Sequence, residues 1–242
     1  MLKLTLNHIH IKGIIMHIET GVVQGVKMVF SYGTAALSFG IAGKLALESI
    51  KDNGTISFIG KTLISTILVF IFFEVFPHHP VGVSEVHFIL GSTLFLLFGA
   101  APAAFGLAFG LLIQGIFFAP FDLPQYGVNV TTLLMPLFAM IYLAKKVIPE
   151  NIAYKDIQYK DALKLSLAYQ GGIVTWVAFW ALFGQGFGAE NLAAVSSFAI
   201  AYMSVVILEP LIDLAILAGA KTLNSLKDSS FINTRVYNPA KA

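Results

Sequence analysis

The side chains best equipped for chemistry in this 242-residue chain are its histidines: His8, His10, His17, His78, His79 and His87. Imidazole is the commonest metal-ligating side chain. Carboxylates accompany the histidines at Glu19, Glu74, Glu85, Asp122 and Glu190. There is no cysteine, which excludes disulfides, thiolate metal sites, iron–sulfur clusters and cysteine nucleophiles. The chemistry on offer is the holding of a divalent cation by nitrogen and oxygen donors. His17 and His87 stand out. His17 follows Met16 just ahead of the first apolar helix, and His87 lies in VSEVHFILGS at the mouth of a short one. Membrane proteins place polar sites at short or broken helices, where irregular backbone lines a cavity. His78, His79 and Glu85 are the alternative ligands. His87 taken alone would serve equally as an interfacial side chain bonded to a backbone carbonyl.

Enzymatic alternatives have less to stand on. Ser84 and Ser92 flank His87, as a hydrolase reading would want. However, neither H-E-x-x-H nor G-x-S-x-G occurs. No phosphate-cradling Walker sequence is present, so a partner must supply any ATP-driven work. A scaffold protein without transport would leave the histidines unused.

The elements that position these groups follow from composition. Apolar residues make up 57% and charged residues 12%, and mean hydropathy is +0.82. That excludes a soluble enzyme, a disordered chain and a nucleic-acid binder. The start, MLKLTLNHIHIKGII, is no signal peptide, because Lys12 interrupts the needed apolar run. Stretches near 22–43, 56–76, 86–98, 102–118, 128–147, 162–184 and 192–219 read as membrane spans, apolar all round. The expected fold is therefore all-α: a polytopic membrane protein of about seven helices. Residues 1–15 form an extension, 16–220 the membrane domain and 221–242 a tail.

Orientation follows from the basic residues. Lys44, Lys51 and Lys61 cluster after the first span; Lys145, Lys146, Lys155, Lys160 and Lys164 after the fifth; Lys221, Lys227, Arg235 and Lys241 in the tail. The loops between carry none, so the N-terminus is expected outside and the C-terminus in the cytoplasm. All the histidines then fall on the outer side. Within the spans, GLAFG at 106–110 is a close-packing signal. Gln114 and Gln170 are expected to bond between helices. Glu209 and Asp213 share one helix face and either contact a partner subunit or pair inside the bundle, with Lys27 as the expected cation.

Several of these stretches together resemble the CbiM/NikM family, the substrate-binding components of energy-coupling-factor transporters for cobalt and nickel. MHIETG at 16–21 resembles that family's Met-His-Ile start. PVGVSEVHFILGSTLFLLFG at 80–99 resembles its Pro/Gly/Ser-rich loop with a histidine before a short helix. GLAFGLLIQGIFF at 106–118 resembles its glutamine-bearing apolar run, YGVNVTTLLMP at 126–136 its asparagine turn, and ILEPLIDLAI at 207–216 its Ile-Glu turn. Two departures are local: Glu19 stands where the family commonly has proline, and Ser84-Glu85-Val86-His87 is one residue longer than its usual motif. The resemblance implies cobalt or nickel held by the Met16 amine, the His17 amide and imidazole, and the His87 imidazole. Four planar nitrogens suit a d⁸ ion. Ser84 and Asn129 would orient the ligands, although Asn129 equally reads as a helix cap. The resemblance further implies a lipid-embedded subunit of a bacterial inner membrane, partnered by a transmembrane coupling subunit and ABC-type ATPases. Such a site needs a free amine before the histidine. Translation is therefore expected to begin at Met16, or the leader to be removed before it.

Overall fold

A computed structural model describes residues 17, 18 and 20–240. Seven α-helices run through them: α1 (Val26–Asn53), α2 (Thr55–Phe70), α3 (Gly91–Phe98), α4 (Ala100–Phe117), α5 (Tyr126–Val147), α6 (Tyr159–Gln185) and α7 (Ala189–Thr222). Five helical stretches are long and apolar enough to cross a membrane: Thr55–Val75, Ala100–Phe117, Pro120–Val147, Tyr159–Gln185 and Ala189–Thr222. The chain is a multi-pass membrane protein.

Two expectations need correction. The third apolar stretch, 86–98, is not a spanning helix. Its helix, α3, has only 8 residues, about 12 Å at 1.5 Å per residue against a ~30 Å hydrocarbon core. Ahead of it lies a small antiparallel hairpin, β1 (His79–Val81) paired with β2 (Ser84–Val86), in a fold that is otherwise all-α as expected. Residues 87–90 then run without helix into α3. Finally, Lys44, Lys51 and Lys61 do not share a loop. α1 continues to Asn53, a single residue, Gly54 (φ 83°), turns the chain, and Lys61 is buried in α2. Only glycine adopts such a backbone at no steric cost.

The helices pack through small residues and internal polar bonds. A Cβ added at Gly106 would overlap Ser65, and one at Gly110 would overlap Val69, so the GLAFG stretch is where α4 lies closest on α2. Pro210 inside α7 lacks the N–H that would pair with the Val206 carbonyl. Ser166 on α6 brings its hydroxyl within 3.2 Å of that carbonyl, sharing its one proton between it and Glu209.

Glu209 and Asp213 lie inside the bundle, 0% and 1% exposed, rather than on a surface a partner could reach. Lys27 does not pair with them. It donates to the Gly184 carbonyl at 2.9 Å and lies over the Phe183 ring. Glu209 accepts from Gln170 and from Ser166 at 3.1 Å. Asp213 accepts from Thr93 and from Ser92 at 2.7 Å. Together the two carboxylates bind α6 and the start of α3 to α7.

The other end of α3 is held by the segment after α7. The Asn233 N–H donates to the Leu97 carbonyl at 2.7 Å and its side chain to Leu96 at 3.3 Å. Those are last-turn carbonyls with no partner within the helix. Ser57 donates to the Ser230 carbonyl at 2.6 Å, and Val236 is fully buried, so residues 224–240 fold back on the bundle. The short helix that follows His87 is thus fastened at both ends.

Candidate metal centre

His17 sits in left-handed backbone (φ 82°), a region that few non-glycine residues occupy. Its N–H donates to the Glu85 carboxyl on β2. The next N–H, of Ile18, donates to Asn129 Oδ1 in the first turn of α5 at 3.3 Å. Two consecutive backbone groups are therefore gripped by two elements, and the His17 ring is turned inward.

That ring meets His87. Their centroids are 5.4 Å apart, within what one ion bound to a nitrogen of each ring at about 2 Å allows. Both residues are buried, 7% and 6% exposed. Phe73 presents its ring edge-on to both, with centroids 5.2 Å from His17 and 4.8 Å from His87. Phe73 lies in Ile71–Val75, where α2 widens into a π-helix, a distortion that recurs at functional sites.

Two cavities flank the His17 ring. One, about 20 Å³, is lined by Ser84, Glu85, His87, Asn129 and Tyr202. The other, about 10 Å³, is lined by Gln114, Asp122, Tyr126 and Asn129. A space of this size holds about one water. It suits a bare ion and no organic molecule.

Burial sets the charges here. It pushes the His87 ring down to about 4, against a weaker pull from the Phe88 carbonyl, so the ring is neutral and able to ligate. Burial pushes the Glu85 carboxyl up to about 7, partly offset by the His17 N–H and reinforced by Asp122 and Glu74. The donors present are the nitrogen type that suits a first-row transition ion. Among the described residues, no group of three or more His, Cys, Asp or Glu side chains is placed to hold a metal ion.

The structure thus brings together His17, His87, Ser84, Glu85 and Asn129. It leaves out His79, which is exposed on β1, and His78, whose ring nitrogen lies 3.2 Å from the Phe76 carbonyl; neither lines the two cavities. Met16 lies outside the described residues, as do His8, His10 and Glu19. Sequence reasoning missed Phe73 and Tyr202. No spacing marks either among the chain's 21 phenylalanines and 8 tyrosines.

Comparison with known proteins gives this geometry a family. The model for "CbiM: Cobalt uptake substrate-specific transmembrane region" matches residues 17–225. The chain belongs to the CbiM family. It is a membrane component of metal transport and not an enzyme. Two solved structures share the fold. A truncated transition metal transporter has a TM-score of 0.64 at 15% identity, covering 86% of this chain and 99% of its own. A transition metal transporter has a TM-score of 0.65 at 15% identity, covering 87% and 94%. No curated protein sequence matches the chain.

Proposed function

We propose that this CbiM-family chain is the metal-binding membrane subunit of an energy-coupling-factor type importer, and that it captures cobalt or nickel between His17 and His87. The observation that carries this reading is one buried, ion-sized space with two inward-facing imidazoles 5.4 Å apart. Met16 would supply the remaining donor through a free amine. The His17 amide nitrogen would join once its proton is lost, and Glu85 is the acceptor that this N–H already faces. Asn129 holds the neighbouring N–H of Ile18, which fixes the chain direction leading out of the site.

The same reading places the histidine end outside a bacterial inner membrane and the lysine-rich ends in the cytoplasm. Energy would come from a transmembrane coupling subunit and ABC-type ATPases, because the chain carries no nucleotide motif.

The test is metal retention by the purified chain, read by isothermal titration and elemental analysis with nickel and with cobalt. His87→Ala should abolish tight binding, with a loss of at least about 100-fold for a donor removed from a small ligand set. His79→Ala should stay within about threefold, as befits an exposed residue away from the cavities. Equal damage from the two changes would reject this pair. N-terminal sequencing of protein made from its own gene tests the Met16 donor. A mature chain beginning at Met1 that still binds either ion tightly would remove Met16 from the ligand set.

A further inference from the structure

A second cavity lies at the end of the bundle opposite the histidines. It measures about 270 Å³ and is bounded by the last turns of α1 and α5, the start of α4 and the returning segment after α7. Three basic residues line it: Lys61, Lys145 and Arg235. Glu48 is the one carboxylate among the lining residues, and it is exposed.

Lys61 is the anomaly. It is 4% exposed, yet among the described residues its ammonium has no carboxylate within 4.0 Å and makes no hydrogen bond. With no protein partner, the ammonium relies on whatever fills the cavity it lines for its hydrogen bonds. Its side chain also borders a second cavity, shared with Ser57, Ser229 and Ser230.

The backbone contributes both signs: the last turns of α1 and α5 bring carbonyl ends to the cavity, and the start of α4 brings amide donors. Gly99, Ala100 and Ala101, at the start of the 18-residue helix α4, line the cavity. No side chain caps that helix start. Pro102, the third residue, has no N–H, so Ala100 and Ala101 supply the first-turn amides at the residues that line the cavity. A helix N-terminus carries about half a positive charge and favours anions. Arg235 is positioned by its bond to the Pro149 carbonyl at 3.0 Å and by the Tyr154 ring beneath it, while its buried Nε has no partner among the described residues.

We propose that this cavity is an anion site for a phosphate group, held by Lys61, the α4 amides, Lys145 and Arg235. The chemistry is that of a compact, multiply accepting oxyanion: fixed amides, a buried ammonium and a guanidinium all donate, and the space exceeds a bare ion many times over. Basic pockets between helices at the cytoplasmic membrane surface take lipid head groups. The source of the phosphate is therefore either an anionic phospholipid or free phosphate. Naming this end cytoplasmic rests on the orientation proposed above; the binding itself does not.

The experiment uses the full purified chain in detergent and two probes. Phosphatidylglycerol is offered against phosphatidylcholine and scored by native mass spectrometry. Inorganic phosphate is titrated and followed by thermal unfolding. The wild type should retain phosphatidylglycerol over phosphatidylcholine, or gain thermal stability with phosphate. The first outcome assigns the site to a lipid, the second to a soluble ion. Lys61→Met should weaken either response by about tenfold or more, as expected for a lost charge-assisted bond. Without either probe it should unfold no earlier than wild type, because it removes an uncompensated charge. Lys145→Gln provides a second, milder reduction should Lys61→Met fail to fold. Lys160→Gln, exposed and outside the cavity, should match wild type. Nickel and cobalt binding should be unchanged in all three variants, so this site and the histidine site can fail separately. No response to either probe, or an equal response in Lys61→Met, would overturn the proposal.

Discussion

Two neighbouring groups in the histidine site titrate in opposite senses. His87 is lowered from 6.5 to about 4. The fold therefore binds fewer protons than the unfolded chain between those values, and this contribution to stability falls as pH drops. Glu85 is raised from 4.5 to about 7. There the folded state binds more protons, and stability falls as pH rises. Across roughly pH 4.5–6.5 the two slopes oppose each other. The melting temperature of the metal-free protein should accordingly change little over that window. Glu85→Gln leaves the histidine slope, so its stability should climb from pH 4.5 to 6.5. His87→Gln leaves the carboxyl slope, so its stability should decline from pH 4.5 to 7. The limit for either is about 3 kcal/mol, because each tenfold change in proton affinity corresponds to about 1.4 kcal/mol. Thermal unfolding of the two variants across pH checks this. Parallel profiles would show that the groups do not titrate as their burial requires. His17, His87 and Asn129 were legible in the sequence because they stand in motifs. The Phe73 ring beside both histidines was not, since an aromatic in an apolar run carries no local mark.

Long helices announce themselves by unbroken apolar length, and α2, α4, α5, α6 and α7 were legible for that reason. The 86–98 stretch misled because apolar residues serve a buried hairpin and a short helix as well as a span. What separates the cases is tertiary: Asp213 and Asn233 hold the two ends of α3, and both lie over 100 residues away in sequence. The end of α1 was missed for a different reason. Lys44, Lys51 and Lys61 suggested a loop, yet charged residues such as the exposed Lys44 and Lys51 continue a helix readily, and only Gly54 stops it. The close approach of α4 to α2 makes a sharp prediction. Gly106→Leu forces a side chain into Ser65, and overpacking of this kind costs about 1–3 kcal/mol. Its melting temperature should fall, while Gly171→Leu, where nothing lies within 4 Å, should leave it near wild type. Equal shifts would show that α4 and α2 are not in close contact at Gly106.

For the whole molecule, the charge asymmetry survives the corrected helix boundaries. Lys145, Lys146, Lys155 and Lys160 still fall at the same end of the bundle as Lys44 and Lys51 of α1 and the returning segment, while Lys27 lies at the other end. A reporter that works only in the cytoplasm, fused after Asn151 between α5 and α6, should be active there. Activity of a periplasmic reporter at that point would invert the molecule. The two small cavities at the histidines have a consequence for kinetics. In solution a divalent transition ion travels with a shell of several waters, whereas each of these spaces has room for about one. Spaces of about 10 and 20 Å³ cannot admit that shell. An ion captured there, as proposed, would have to shed its waters on the way in, exchanging them for nitrogen donors one by one. Loading should keep pace with how fast an ion surrenders its hydration rather than with how tightly it is finally held. Two ions of equal affinity but unequal water-exchange rates would then be sorted by time.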